Sequence, residues 1–232
     1  MIPRIHGTLK FLNELENINY IFDLGTNSGD EAVIFAKYFP NAKIIGIEAN
    51  SKLIPNIRNN IKGYSNIEIF NFGVSDKNEE LDFYISRTNN TGTSSFLHKS
   101  GLYDHIEPMQ FHNPIKLKVR KLSDFIKENK IPKIDILWMD IQGFEEKAFD
   151  GLEEYKNDIK IICSEVCYKE IYSGQSLFND FNKKLVNHGY RCIYNDIKHQ
   201  NFWGDAIYIN TRIPNSENVK SNLNCQGYQK FI

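Results

Sequence analysis

Ile21–Phe35 reads IFDLGTNSGDEAVIF. An apolar run, Tyr20 to Phe22, meets an acid, Asp23. Gly25 and Gly29 follow, and then a segment with apolar residues at Ala32, Val33, Phe35, Ala36 and Phe39. That spacing predicts a helix with one buried face, stopped at Pro40 and Asn41. A buried strand, a glycine turn and a helix form the nucleotide-gripping unit of open α/β sheets.

The chain around it repeats the unit. AKIIGIE, residues 42–48, is a second strand and SKLIPNIRNNIKG, residues 51–63, a second helix. Ser51 is its expected N-cap, Gly63 its end, and Pro55 falls in its first turn, where a missing N–H costs little. NIEIFNFGV, residues 66–74, is a third strand. The order β-α-β-α-β is the first half of a doubly wound parallel sheet. ELDFYIS, residues 80–86, alternates as a half-exposed strand does. Residues 86–114 are then polar and irregular, and a loop of that length is usually functional. IKLKVRKL resumes extended structure and SDFIKENK is a short capped helix. KIDILWMDI and IKIICSEV are apolar strands, with the helix FEEKAFDGLEEYK between them. SLFNDFNKKLVNHG is a helix, and YRCIYN and DAIYIN a final antiparallel pair.

The turn discriminates between ligands. A dinucleotide pyrophosphate needs G-x-G-x-x-G, whose middle glycine admits the phosphates. Here Asn27 holds that place, and Asp23 would repel an anion. S-adenosylmethionine carries an ammonium and a sulfonium, which suit Asp23. Gly25 lets backbone approach the ligand closely, and backbone N–H groups near Gly29, at a helix start, suit its carboxylate. Glu48 stands 23 residues after Gly25 at a strand end, where an acid can accept both ribose hydroxyls. That acid also serves NAD sites, so an NAD-linked oxidoreductase or epimerase, or a non-catalytic nucleoside-binding module, stays open as an alternative.

A second acid-bearing strand end follows. Asp140 closes ILWMD, with Gln142 in the turn after it and Glu145 and Glu146 opening a helix. Asp140 could orient an acceptor, take its proton or hold a metal, or simply cap the helix. Glu165 ends the next strand on the same rim. Hydroxyl activation needs such a base.

These motifs together resemble the FkbM family of S-adenosylmethionine-dependent methyltransferases. They are Phe22–Gly29, Glu48–Asn50, Asn71–Asp76, Thr93–Phe96, Lys121–Ile126, Asp135–Gly151 and Ser164–Val166. The resemblance spans roughly residues 18–210, and DIQGFE is its most specific piece. It implies a Rossmann-like class I methyltransferase fold. Such a fold has a seven-stranded, mostly parallel sheet, helices on both faces and a final antiparallel strand. It also implies O-methylation of a hydroxyl on a small molecule, sugar or surface glycan. By the same resemblance Asp23, Gly25, Asn27, Gly29, Glu48 and Asn50 hold the cofactor, with Gly73, Ser75 and Asp76 near the adenine. By that resemblance Asp140 and Gln142 face the methyl group and acceptor, and Glu165, on the neighbouring strand end, is the further catalytic candidate. Thr26 stands where the family commonly has alanine, and Trp138 where it often has lysine.

The chain of 232 residues, 41% apolar and 25% charged, suits a single globular domain over residues 18–212. Residues 1–17 are expected as an N-terminal helical extension, 86–114 as an active-site loop insertion and 213–232 as a tail. A net charge of −1 and the lack of a basic run or N/D-P-P-Y/F motif argue against nucleic acid as substrate. No run of about 18 apolar residues predicts a membrane span, and the N-terminus lacks a signal-peptide core. Four scattered cysteines, Cys163, Cys167, Cys192 and Cys225, suit reduced thiols in a cytoplasmic protein. They form no zinc pattern. His98, His105 and His112 recur in the long loop, which has no helical periodicity to align them. A solvated or substrate-facing role fits them better than metal ligation, and a divalent metal, though possible, has no support in the sequence. Tyr103, Phe111 and Trp203 are candidate aromatic walls for a sugar ring, and Asp205 a further candidate to face the pocket.

Overall fold

In a computed structural model the described residues are 17–87, 91–101, 110–195, 202–214 and 216–217. The expected N-terminal extension, His105, Tyr103, Cys225 and most of the tail lie outside them.

The main sheet grows from the opening stretch. β1 (Tyr20–Leu24), β2 (Lys43–Ile47) and β3 (Ile67–Phe70) are joined by helices α1 (Asp30–Tyr38) and α2 (Ile54–Asn60). After an excursion come β7 (Ile136–Met139), β8 (Ile161–Cys167), β9 (Tyr190–Asn195) and β10 (Trp203–Asn210). The seven strands lie in the order β3-β2-β1-β7-β8-β10-β9. β3, β2, β1, β7 and β8 pair in parallel, and β10 runs antiparallel to both its neighbours. This is the expected mostly parallel seven-stranded sheet with one reversed strand.

Side chains alternate between two cores. Phe22, Leu24, Leu137, Met139 and Ile162 face one side. Ile21, Ile44, Ile136, Ile161 and Phe35 of α1 face the other. Burial on both faces is why the central strands read as continuous apolar runs. Strand order reverses between β1 and β7, so the crevice beyond the strands' C-terminal ends lies where Asp23, Glu48 and Asp140 sit.

The excursion differs from the sequence reading. NIEIFNFGV is not one strand. Asn71 breaks it, its amide donating to the backbone oxygens of Glu48 and Ala49 at 2.7 and 3.1 Å. The chain then enters a second sheet, in which β6 (Ile115–Arg120) lies between β4 (Gly73–Val74) and β5 (Glu79–Phe83). Between β5 and β6 the long insertion is tied down by isolated bridges, Tyr84 to Ser95, Ser86 to Phe111 and Lys99 to Tyr172. Two helices are shorter than expected. The one after β7 divides at Gly151 into α4 (Glu145–Asp150) and a 3-10 turn, Glu153–Asn157. α2 begins at Ile54 behind Leu53, so Ser51 does not cap it; the Asn50 side chain instead accepts from the Lys52 N–H at 3.2 Å. Helix α3 (Leu122–Glu128) starts after Lys121, with Ser123 inside it, and α5 (Phe178–Asn187) precedes β9.

Candidate active site

A cleft of about 550 Å³ of non-atom space, open solvent at its mouth included, runs along the strand ends. One wall is the glycine turn and Glu48. The other is Asp140, Ile141 and Gln142. Phe72, Phe83, Phe96 and Phe144 close an aromatic slot between them. Phe83 and Phe96 have ring centroids 4.7 Å apart, and Phe96 and Phe144 5.4 Å. Phe72 comes from the link between β3 and β4, Phe83 from β5, Phe96 from the insertion and Phe144 from the turn after β7. Phe72, Phe96 and Phe144 fall within the quoted motifs and Phe83 does not, but their meeting was not read from the sequence, because scattered phenylalanines carry no periodic signal.

Gly25 adopts φ +84°, and a Cβ there would lie 2.0 Å from the backbone oxygen of Asp140. The close approach that the turn allows is therefore to the end of β7, which brings the two walls together. Gly29 packs its bare face against Ile57 of α2 and Ile61 just beyond it and stays outside the cleft lining.

Glu48 is buried. One of its oxygens accepts from the Asn27 N–H at 2.9 Å and the other from the Asn50 N–H at 2.7 Å. Burial pushes its pKa up, against the lowering effect of the Asn50, Asn27 and Ala49 amides. A carboxylate has about four acceptor sites, so Glu48 keeps acceptor capacity for a ligand hydroxyl beside these amides. Asn50 thus supports Glu48 through its backbone.

Asp23 is 1% exposed, and its Oδ2 has no hydrogen-bond partner among the described residues. Burial raises its pKa well above the ordinary carboxylate value, and Glu31, Asp140 and Glu48 add repulsion. Asp23 is not among the residues that line the cleft, and an orphaned acid among acids would be relieved by a cation that reaches it.

Of the adenine-side candidates only Gly73 lines the cleft. Ser75 is buried and turns its hydroxyl to Asp76 at 3.1 Å. Asp76 pairs with Lys147 at 3.5 Å. Against a cost of partial burial, Ser75 and Lys147 hold its carboxyl below the usual value. Neither side chain reaches the cleft.

At the far wall Gln142 bridges two acids, its Nε2 donating to Asp140 at 2.6 Å and to Glu165 at 2.9 Å. Asp140 opens to the cleft, yet dense protein surrounds it. Burial pushes its pKa up to about 6, with Gln142 lowering it and Asp205, Glu31 and Glu48 raising it. Glu165 is raised well above its ordinary value by burial and then by Asp140, Glu145 and Asp205. Asp205 lies opposite Glu165 in the β8–β10 register, and both line a smaller pocket with Trp138 and Tyr194. Glu31 and Glu145 are acids of this cluster that sequence reasoning left unassigned. Glu145 accepts from the Ile141 N–H at 3.0 Å and is pushed up to about 7, chiefly by burial.

Other candidates lie elsewhere. His98 is exposed and contacts the Lys99 carbonyl at 2.9 Å, and neither it nor His112 lines the cleft. Phe111 and Trp203 pack on a small cluster of Cys167, Ile171 and Tyr172. Among the described residues no group of three or more His, Cys, Asp or Glu is placed to hold a metal ion, and no helix is long and apolar enough to cross a membrane.

Residues 23–192 match the methyltransferase FkbM domain. The chain belongs to the FkbM family of S-adenosylmethionine-dependent methyltransferases. This membership replaces the NAD-linked alternative. The FkbM chain is 30% identical over 162 residues to the 2-O-methyltransferase NoeI of Sinorhizobium fredii, an alignment covering 67% of this chain and 66% of that protein. It therefore spans about two thirds of that relative's length. Its fold is similar to the fibrillarin pre-rRNA processing protein of Methanococcus jannaschii, with TM-score 0.51 and 11% identity over 82% of this chain and 66% of that one. It is also similar to a Klebsiella pneumoniae structure described as an O-methyltransferase, with TM-score 0.50 and 11% identity over 90% and 80%. At such identities these two likenesses show the fold alone.

Proposed function

We propose that this FkbM protein transfers the methyl group of S-adenosylmethionine to a hydroxyl of a sugar or other small polyol. The observation that carries the reading is the order of chemistries along one cleft. A diol-accepting carboxylate, Glu48, and an aromatic slot lie at one end, and Asp140, bridged through Gln142 to Glu165 in a smaller pocket, at the other. The 2-O-methyltransferase relative supports the hydroxyl as acceptor.

The donor set fits the cofactor. Asp23 offers a buried oxygen to a cation, Glu48 keeps acceptor capacity for a hydroxyl, and the phenylalanine slot suits a flat base. Bound there, the cofactor supplies an electrophilic methyl on a sulfonium. The protein's own work is to orient and deprotonate the acceptor. An alcohol is a poor nucleophile at neutral pH, and Asp140, held near neutrality by its surroundings, is matched to take its proton. Gln142 fixes that carboxylate from one side. Glu165, raised well above its ordinary value chiefly by burial, holds Gln142 from the smaller pocket. The aspartate's open side faces the cleft.

Incubation with methyl-labelled S-adenosylmethionine and a panel of neutral, amino- and carboxylate-bearing saccharides tests the reading. Label in an alkali-stable methyl ether is expected. Label only on amine or carboxylate acceptors would overturn hydroxyl transfer.

A further inference from the structure

Gln142 is the hinge of the acid rim, and a residue far away in sequence holds it. Tyr172 is 2% exposed, in the irregular segment after β8. Its hydroxyl lies 2.8 Å from Gln142 Oε1 and 2.9 Å from the Thr93 carbonyl oxygen. Both neighbours are acceptors, so the single phenolic proton serves this pair. Gln142 is clamped from the same insertion on its backbone side, where Ser95 Oγ donates to its carbonyl oxygen at 2.7 Å. Its own φ is +55°, a conformation that a non-glycine residue keeps only when its surroundings enforce it. Tyr172 is fixed in turn: Gln175 Oε1 accepts from the backbone N–H groups of Ile171 and Tyr172, at 2.8 and 2.5 Å. A continuous path thus runs from the insertion through Tyr172 and the Gln142 amide to Asp140 and Glu165.

We propose that Tyr172 is a positioning residue that anchors the Gln142 amide between the two carboxylates and so ties the acid rim to the insertion at Thr93–Ser95. The anchor matters because Asp140 sits among acids. Glu165 and Asp205 face it from β8 and β10, Glu31 from α1, Glu48 and Asp23 from the strand ends and Glu145 from α4, with the Cys167 thiol behind. The Gln142 amide is the donor that keeps the Asp140 anion tolerable among them. Freed from Tyr172, it spends less time between the carboxylates, and Asp140 holds its proton to higher pH.

The inference rests on the proposed base role of Asp140 only for its consequence in catalysis, and its test needs no acceptor. Tyr172→Phe keeps the buried ring and removes the hydroxyl, while Gln142→Ala removes the amide. The Asp140 carboxyl is followed by infrared titration, identified by subtracting Asp140→Asn on each background. Tyr172→Phe and Gln142→Ala should each move its midpoint upward from about 6. Tyr172→Phe should add nothing in the Gln142→Ala background. An unmoved midpoint in Tyr172→Phe, or an equal shift with and without Gln142, overturns the proposal. Either result leaves the methyl-transfer assay free to succeed or fail separately.

Discussion

Asp23 concentrates the logic of the site in one residue. A buried carboxylate with an unpartnered oxygen destabilises the ligand-free fold, and the proposed cofactor contact would be the reason to keep it. Asp23→Asn removes the charge at nearly constant shape. The variant is expected to melt at or above the wild-type temperature while binding S-adenosylhomocysteine at least tenfold more weakly. Thermal denaturation and calorimetry on the same sample check both halves. Asp140 makes the complementary prediction. As a base it works only when ionised, so turnover should fall as pH drops through about 6. Asp140→Asn should lower turnover by about 10²–10⁴-fold and abolish that limb. A pH–rate profile of both proteins decides the matter.

At the level of elements, the strand ends were legible and the connections were not. Asp23, Glu48 and Asp140 each follow a short apolar run, and the run announces both the strand and its end. Gly25 was legible as a close approach, but its partner, the backbone of Asp140, belongs to a strand more than a hundred residues on. The second sheet was hidden because β5 and β6 alternate Glu79, Glu80 and Asp82 with Lys116 and Lys118 across an antiparallel pair. Their pairing is half solvent-exposed and spans the whole insertion. Ser75 and Asp76 follow β4 away from the cleft, which a motif match could not foresee. Tyr172 carried no signal, because its partners Thr93 and Gln142 are joined to it only by the folded insertion. The break in the helix after β7 has a steric cause. A Cβ on Gly151 would lie 2.0 Å from the Ser75 backbone oxygen, where the chain leaving β4 crosses. Gly151→Ala must push these two elements apart and should cost about 2–4 kcal/mol of stability. Because β4 carries Gly73, it should also disturb that side of the cleft. Urea denaturation measures the first effect.

Across the whole molecule the acid cluster sets how stability responds to pH. Glu145 is held up to about 7 from an ordinary 4.5, so the folded state keeps a proton that the unfolded chain has lost. Its contribution is fully present below about pH 4.5 and is lost as pH rises through about 7, on the order of 3 kcal/mol in all. Burial raises Asp23 and Glu165 in the same direction. Stability of the ligand-free protein should therefore fall between those limits, and Glu145→Gln, which keeps an acceptor for the Ile141 N–H, should flatten the decline. Denaturation midpoints across that range check the slope.

The central claim is that the cleft between Glu48 and Asp140 binds the cofactor. Calorimetric titration of S-adenosylhomocysteine into the wild-type protein and Glu48→Ala addresses it directly, with thermal melting to confirm that the variant is folded. The account predicts saturable one-to-one binding in the wild type and at least tenfold weaker binding in the folded variant. No binding by the wild type at millimolar ligand, or equal affinity in the two proteins, would contradict it.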